Sequence, residues 1–313
     1  MFLILRMPSN IKSHFFYFLI FFYLLFTSCA PKAITSFGTA DPAKSIFYHQ
    51  TGKGAPILFI HGGPGLSHHY FLPSVFSLQN EYHLIFYDQR NCGESLVATD
   101  TLQMHLSSFI RDIDFVRKRM GYKKISLLGH SWGSMLAVRY AIQYPENVSN
   151  LILVSPAAMS SADVRETSRL INQKFEPMAN IRRNELIEST AFKQGEPDAL
   201  AQLYKIGFSQ NMLKPEKVDS LNIYVPEDYR ARNSWMKTLY SDLYDYDLYP
   251  QLKKIKLPTL ILEGSGDVGV PQSLKISNTI PGSKYILIKE SGHFPFLENN
   301  SDFTTAIRNF IRS

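Results

Sequence analysis

Apolar positions in this chain fall in short unbroken runs set between longer stretches of helical spacing. Pro56 to Ile60, His83 to Tyr87, Ile125 to Leu128 and Leu151 to Val154 predict buried strands. Ser45 to Gln50 reads as a further strand that ends in a turn at Gly52-Lys53-Gly54. Leu106 to Met120 and Met135 to Tyr144 carry apolar residues at helical intervals. Strands that are apolar throughout need cover on both faces, so the alternation predicts an α/β fold with a mostly parallel sheet flanked by helices. The rhythm breaks over 157–252, which is polar, helical in period and rich in Tyr, Glu, Lys and Arg. No buried strand is expected there, and the segment reads as an inserted helical cap. Strand and helix then resume at Thr259 to Glu263, Ser273 to Thr279 and Lys284 to Ile288, and an amphipathic helix over Asp302 to Ile311 closes the chain.

The first residues follow different rules. Arg6 and Lys12 precede an apolar run from Phe15 to Phe26, and Thr27, Ser28, Cys29 and Ala30 come next. This order of positive, apolar and small residues predicts a signal peptide over 1–28. The run is short of the roughly 20 residues that a membrane-spanning helix needs. Residues 29–44 then form a tether, 45–156 the first part of the core, 157–252 the cap and 253–313 the second part of the core.

Composition adds limits. The chain has 313 residues, 45% of them hydrophobic, enough for one large domain carrying an insertion. The net charge of +6 is spread along the chain. Its densest cluster, Arg117-Lys118-Arg119, reads as a solvated helix face, and no nucleic-acid partner is expected. Only Cys29 and Cys92 are present, which argues against a disulfide framework. No His or Cys pair shows ligand spacing, so neither a metal nor a cofactor is expected.

The chemistry centres on Gly129-His130-Ser131-Trp132-Gly133, which follows a predicted strand and precedes a predicted helix. A Gly-x-Ser-x-Gly pattern in that context puts the serine on a sharp turn with its hydroxyl clear of the sheet. A serine hydroxyl needs a base within reach, and the base needs a carboxylate to orient it. Asp267 lies in the loop after the strand Thr259 to Glu263, and His293 in the loop after Lys284 to Ile288. In a parallel sheet both loops emerge at the carboxyl edge beside Ser131. Glu263 and Asp163 compete with Asp267. His61, His68, His69 and His130 compete with His293. Of these, His61 is expected to brace the glycine-rich loop, His130 to be locked in the elbow, and His68 and His69 to lie on a loop surface or cleft wall. Cys92 reads as a packed small residue.

Three segments carry a family resemblance. His61-Gly62-Gly63-Pro64-Gly65 resembles the HGGPG motif of proline iminopeptidases in the α/β-hydrolase superfamily. Asp88-Gln89-Arg90-Asn91-Cys92-Gly93-Glu94-Ser95 is similar to that family's DQRGCG-x-S, with Asn91 in place of Gly, and Gly129 to Ser134 matches GHSWG-S. The resemblance covers nearly all of the chain after residue 45. It implies an α/β-hydrolase fold, Ser131 as nucleophile, His293 as base and acid, Asp267 as orienting carboxylate, and an oxyanion hole formed by the amides of Gly63 and Trp132. Separately, Phe26-Thr27-Ser28-Cys29 resembles the lipobox of bacterial lipoproteins, with Phe where Leu is usual. That likeness implies lipidation of Cys29, export, and contact with a membrane surface through the anchor.

For the substrate, a peptide or small molecule, the family implies release of an N-terminal proline. Carboxylates of the cap would then bind the substrate's ammonium group. The cap acids Glu176, Glu185, Glu188, Glu227, Asp228, Asp242, Asp245 and Asp247 are candidates, but none aligns with the family pattern, since Trp235 is followed by Met236 where a Trp-Glu pair is sought. Most therefore read as solvated surface. The aromatics Tyr204, Phe208, Tyr224, Tyr229, Trp235, Tyr240, Tyr244, Tyr246 and Tyr249 are expected to pack the cap or to line an apolar pocket. Two enzyme readings stay open, an aminopeptidase and an esterase or amidase on a neutral substrate. A silent binding protein on the same fold is a third. A buried acid pair above Ser131 would favour the peptidase.

Overall fold

The computed structural model describes residues 45–98 and 100–312. The signal peptide, Cys29 and the tether lie outside the described residues.

Seven strands form one sheet. They are β1 (Tyr48–Thr51), β2 (Ala55–Ile60), β3 (Tyr82–Tyr87), β4 (Ile125–His130), β5 (Val148–Val154), β6 (Thr259–Gly264) and β7 (Lys284–Ile288). Their order across the sheet is β1-β3-β2-β4-β5-β6-β7. The β1–β3 pair at one edge is antiparallel, and every other pairing is parallel. The strands β2 to β6 are each one to three residues longer than the apolar runs that announced them, β5 most of all. β5 starts at Val148 because Ser149 and Asn150, which break the apolar run, bond through their side chains to Ser126 on β4 at 3.0 Å.

The unbroken runs are explained by burial on two sides. On β2, Leu58 and Ile60 pack into one core, and Ile57 and Phe59 into the other, all four fully buried. The first core lies under α1 (Leu106–Arg119) and α2 (Trp132–Gln143). The second lies under the 66–82 loop and the last helix. Arg117 of α1 corrects the expectation of a solvated basic face. It is buried, and its guanidinium bonds to Asp114, the Tyr140 hydroxyl and the carbonyls of Tyr122 and Lys123. A guanidinium stays charged when buried, so the cost of burying it is offset only when its donors are satisfied in this way.

Between β5 and β6 run α3 (Ser161–Lys174), α4 (Pro177–Glu188), α5 (Thr190–Gln194), α6 (Pro197–Ser209), α7 (Tyr229–Asp242) and α8 (Tyr249–Leu252). The start signals are legible in part. Ser160 and Ser189 accept from the amides of Asp163 and Phe192, and proline stands in the first turn of α4 and α6. Met236 and Leu239 of α7 anchor in one core, and Leu200, Leu203 and Tyr204 of α6 in the other. Asp242, at the end of α7, accepts the Leu106 amide at 2.7 Å and so caps α1 from outside. The chain closes with α9 (Val270–Thr279), α10 (Pro295–Glu298) and α11 (Asn300–Ile311).

Candidate active site

Ser131 stands between β4 and α2 with φ 52° and ψ −122°, a backbone setting that L-residues rarely adopt. Its surroundings hold it there. The Ser131 amide donates to Val154 O at 3.0 Å, and its carbonyl accepts from the amides of Ser134 and Ala157. Gly133 lets β2 approach, because a Cβ there would sit 2.0 Å from Ile60 O. The Ser131 side chain does not cap α2, so its hydroxyl is left for other work.

The glycine loop at 61–65 comes against this turn, with the Cβ position of Gly62 3.2 Å from Ser131 Cβ. His61 braces the loop as expected. Its Nε2 accepts the Gln89 amide at 3.0 Å, which leaves Nδ1 protonated to donate to Gly62 O at 2.8 Å. Burial drives the His61 pKa down to about 4, consistent with a neutral ring. Gln89 also donates to His61 O and accepts from Trp132 Nε1 at 2.8 Å. The second motif is thereby tied to the first and to the elbow. The Gly62 amide donates to the Tyr70 hydroxyl and so is already engaged.

The Tyr70 hydroxyl in turn donates to His130 Nδ1 at 2.9 Å, and His130 Nε2 donates to the carbonyl of His293 at 2.8 Å. His130 is locked in the elbow as expected, and burial followed by the nearby His293 lowers its pKa to about 3. Tyr70 was not anticipated from the sequence. A lone tyrosine after two histidines carries no signal until the fold brings it against His130.

His293 and Asp267 meet at the same edge. His293 Nδ1 lies 2.6 Å from Asp267 Oδ2, and Asp267 Oδ1 accepts the Gly269 amide at 2.9 Å. Burial acts to lower the His293 pKa, but the charge and hydrogen bond of Asp267 prevail and raise it. Burial likewise opposes the Asp267 charge, and His293 with the Gly269 amide outweighs it, so its pKa is lowered. The rings of His293 and His130 lie 5.0 Å apart, which puts the histidine loop beside the serine turn. Among the described residues no hydrogen bond joins the Ser131 hydroxyl to His293 in this conformation. Such bonds frequently tighten only when substrate is present.

Glu298 was also missed. It is buried, and its carboxylate accepts the amides of Leu213 and Lys214 at 2.7 and 2.9 Å, that of Gly292 at 2.9 Å and that of Phe294 at 3.4 Å. The Asn211 carbonyl accepts the His293 amide at 2.9 Å. One acid thus fastens the histidine loop to the inserted helical segment.

The competing residues are placed elsewhere or differently. Asp163 accepts from the Tyr249 hydroxyl and Lys275, away from His293. Glu263 is fully buried near Asp267. Cys92 is buried and free of any disulfide, and burial pushes its thiol up to about 12, as fits a packed side chain. His68 corrects the expectation of a loop surface: it is buried, and its Nδ1 and amide both bond to Asp88 Oδ1 at 2.8 Å. His69 is half-buried, stacks on Tyr224 and pairs with Glu94. Although no ligand spacing marks them in the chain, the fold gathers potential ligand atoms of His68, His69 and Asp88 within 4.8 Å of one another. The Asp88 oxygens there are already committed to His68 and to the Glu94 amide.

None of the eight cap acids is buried. Asp228 pairs with Arg232, Asp242 faces His105 and α1, Asp245 accepts from Ser161, and Asp247 accepts the Tyr249 amide. Of the aromatics, Tyr204 and Tyr229 are buried, while Tyr224 and Tyr244 are exposed. Phe208 stacks on Tyr204 and meets Phe294 edge-on at 5.1 Å, beside the His293 ring.

A strained serine on a strand–helix turn, at the carboxyl edge of a mostly parallel sheet and beside a histidine–aspartate pair, is the arrangement of α/β-hydrolases. The family description "alpha/beta hydrolase fold" matches residues 55–300, and the chain belongs to that family. Within it the chain is proline iminopeptidase-like. It is 30% identical over 286 residues to the proline iminopeptidase of Lactobacillus crispatus, covering 85% of this chain and 94% of that protein. It is 29% identical over 283 residues to that of Saccharolobus solfataricus, covering 84% and 87%. Among solved structures, the proline iminopeptidase of Mycobacterium smegmatis aligns with a TM-score of 0.62 at 21% identity, over 85% of this chain and 94% of that one. An esterase from Exiguobacterium antarcticum aligns equally well, with a TM-score of 0.62 at 22% identity, over 86% and 96%. These two share the fold with this chain.

Proposed function

We propose that this hydrolase works through an acyl-enzyme on Ser131 and releases an N-terminal proline or another small residue from peptides. The observation that carries the chemistry is the positive-φ serine held beside the 2.6 Å His293–Asp267 pair. His293 takes the Ser131 proton as Oγ attacks the scissile carbonyl. The amides of Gly63 and Trp132 hold the oxyanion, and Asp267 stabilises the charged imidazole. His293 then protonates the leaving amine, and water releases the acyl group by the reverse sequence. The peptidase reading is supported by relatives named proline iminopeptidase over more than four-fifths of the chain. Phe208, half-buried and packed edge-on against the buried Phe294 beside His293, offers an apolar neighbour for a pyrrolidine ring.

One observation favours a second reading, an esterase or amidase on a neutral substrate. Binding an ammonium group out of water calls for a buried carboxylate partner, and the cap acids are exposed or engaged elsewhere. The test compares a proline arylamide, its N-acetylated form and a short-chain aryl ester, with Ser131→Ala as control. Turnover of the free-amine substrate alone supports the aminopeptidase. Ester turnover alone replaces it with the esterase.

Export and lipidation at Cys29 belong to the same proposal and are supported by the order of charge, apolar run and small residues before it. Cys29→Ser is expected to move the protein from the membrane to the soluble fraction. Unchanged membrane retention contradicts the anchor.

A further inference from the structure

Glu263 is the penultimate residue of β6, four residues before Asp267, and is fully buried. Its Oε1 accepts the Gly264 amide at 3.0 Å, while among the described residues no conventional donor reaches Oε2. That oxygen lies against the acid of the histidine pair. A methyl group placed on Gly269 would stand 3.3 Å from Glu263 Oε2 and 3.5 Å from Asp267 Oδ1, so both oxygens flank one point. The groups around it are Asp267 and His293 from the two loops, Ser155 after β5, Ser273 on α9 and Tyr285 on β7. Ser273 already donates to Val270 O. No lysine or arginine is among them, and His293, which can carry positive charge, bonds to Asp267.

Two carboxylates cannot both ionise side by side in a buried site. Asp267 has the better claim to the charge, since it holds His293 Nδ1 and the Gly269 amide. We infer that Glu263 is kept as a neutral carboxylic acid whose Oε2 proton is donated to Asp267 Oδ1, making it a positioning residue behind the Asp267–His293 pair. Burial, and then the Asp267 charge, raise the Glu263 pKa well above the usual carboxylate range. The third donor fixes the Asp267 plane and draws charge from it, which restrains the basicity of His293. This inference rests on the proposed roles of Asp267 and His293.

The test measures the acidic limb of the kcat/KM profile in wild type, Glu263→Gln and Glu263→Leu, together with infrared difference spectra at neutral pH. Gln keeps a donor without a charge, so its limb is expected to coincide with wild type. Leu removes the donor, and the limb is expected to move up by about half a unit or more, with a loss of roughly tenfold in kcat. A protonated-carboxyl band is expected in wild type and absent in Glu263→Gln. If Glu263 is ionised, both variants lose a negative charge, both limbs move down and the band is missing, which overturns the inference. A band present with no movement of the limb in Leu also overturns it, since Glu263 then only fills space. If Leu fails to fold, Gln and the band still decide. The band needs no turnover, so failure of the Ser131 reading is separately visible as activity retained in Ser131→Ala.

Discussion

The sheet edge that carries Ser131 and the helices inserted between β5 and β6 are built to different tolerances. At the edge, glycines admit backbone at contact distance, Gly129 and Gly133 among them, and β4 and β6, which lead into the serine and aspartate loops, are buried throughout. On α3 and α4, by contrast, Ser161 and Ala179 are the buried residues, and the acids Glu166, Glu185 and Glu188 face solvent. A site that performs acyl transfer needs its donors, base and nucleophile fixed within a fraction of an ångström, and only the first kind of packing supplies that. Substrate choice needs only a wall of suitable shape and charge, and the inserted helices are free to vary it. Relatives named as peptidases and structural neighbours named as esterases, both on this fold, fit that division.

The comparison predicts a descending scale of effects. Ser131→Ala and His293→Ala are each expected to lower turnover by about 10⁴-fold or more while thermal unfolding stays near wild type. Gly133→Ala puts a Cβ 2.0 Å from Ile60 O, so the elbow must open or the sheet must shift. We expect soluble yield and cooperative unfolding to be lost, and a variant with wild-type stability would show that the edge is looser than described. Glu298→Ala leaves buried amides of two loops without an acceptor and is expected to cost about 3 kcal/mol or more in chemical denaturation. It should also lower kcat, because the His293 loop loses its fastening.

Acid sensitivity is the next effect. His61 and His130 are neutral when folded, with pKa values lowered to about 4 and about 3, whereas the unfolded chain takes up these protons near 6.5. Between pH 7 and pH 5 the unfolded state therefore binds more protons, and stability falls with pH by about 2 kcal/mol per histidine. His293 works in the opposite sense. Its raised pKa contributes stability that is fully present below 6.5 and is lost as pH rises through its folded value. Denaturation midpoints at pH 7 and pH 5 check the net sign, and greater stability at pH 5 would contradict neutral, buried rings. The smallest effects are expected on the inserted helices, where Glu185→Gln or Asp245→Asn should change kcat/KM on any good substrate by less than about twofold. A large loss there would bring an exposed acid into the site and favour the peptidase.

How much was legible in the sequence follows the same division. The apolar runs marked β2 to β6 because two-sided burial leaves an unbroken signature, as in Ile57 to Ile60, whereas the edge strands β1 and β7 are only partly buried. Ser131, Asp267 and His293 could be nominated from the sequence because each sits in a short loop after a predicted strand. What stayed hidden depends on contacts distant in sequence. Tyr70 acquires meaning from His130, Glu298 from amides at 213–214, and Glu263 from Asp267 after the strand has ended. His68 looked like a loop residue because nothing nearby in the chain foretold Asp88 as its partner. Arg117 looked solvated although Asp114 is one turn away, because the Tyr140 hydroxyl that helps to bury it comes from α2.

The central claim, an acyl-enzyme on Ser131 primed by His293, is tested most directly by labelling the folded protein with a fluorophosphonate probe and locating the adduct by mass spectrometry. The account predicts one adduct per chain on the peptide that contains Ser131, absent in Ser131→Ala and strongly slowed in His293→Ala. A folded wild-type protein that takes no label, or one labelled at another residue with Ser131 untouched, would contradict it.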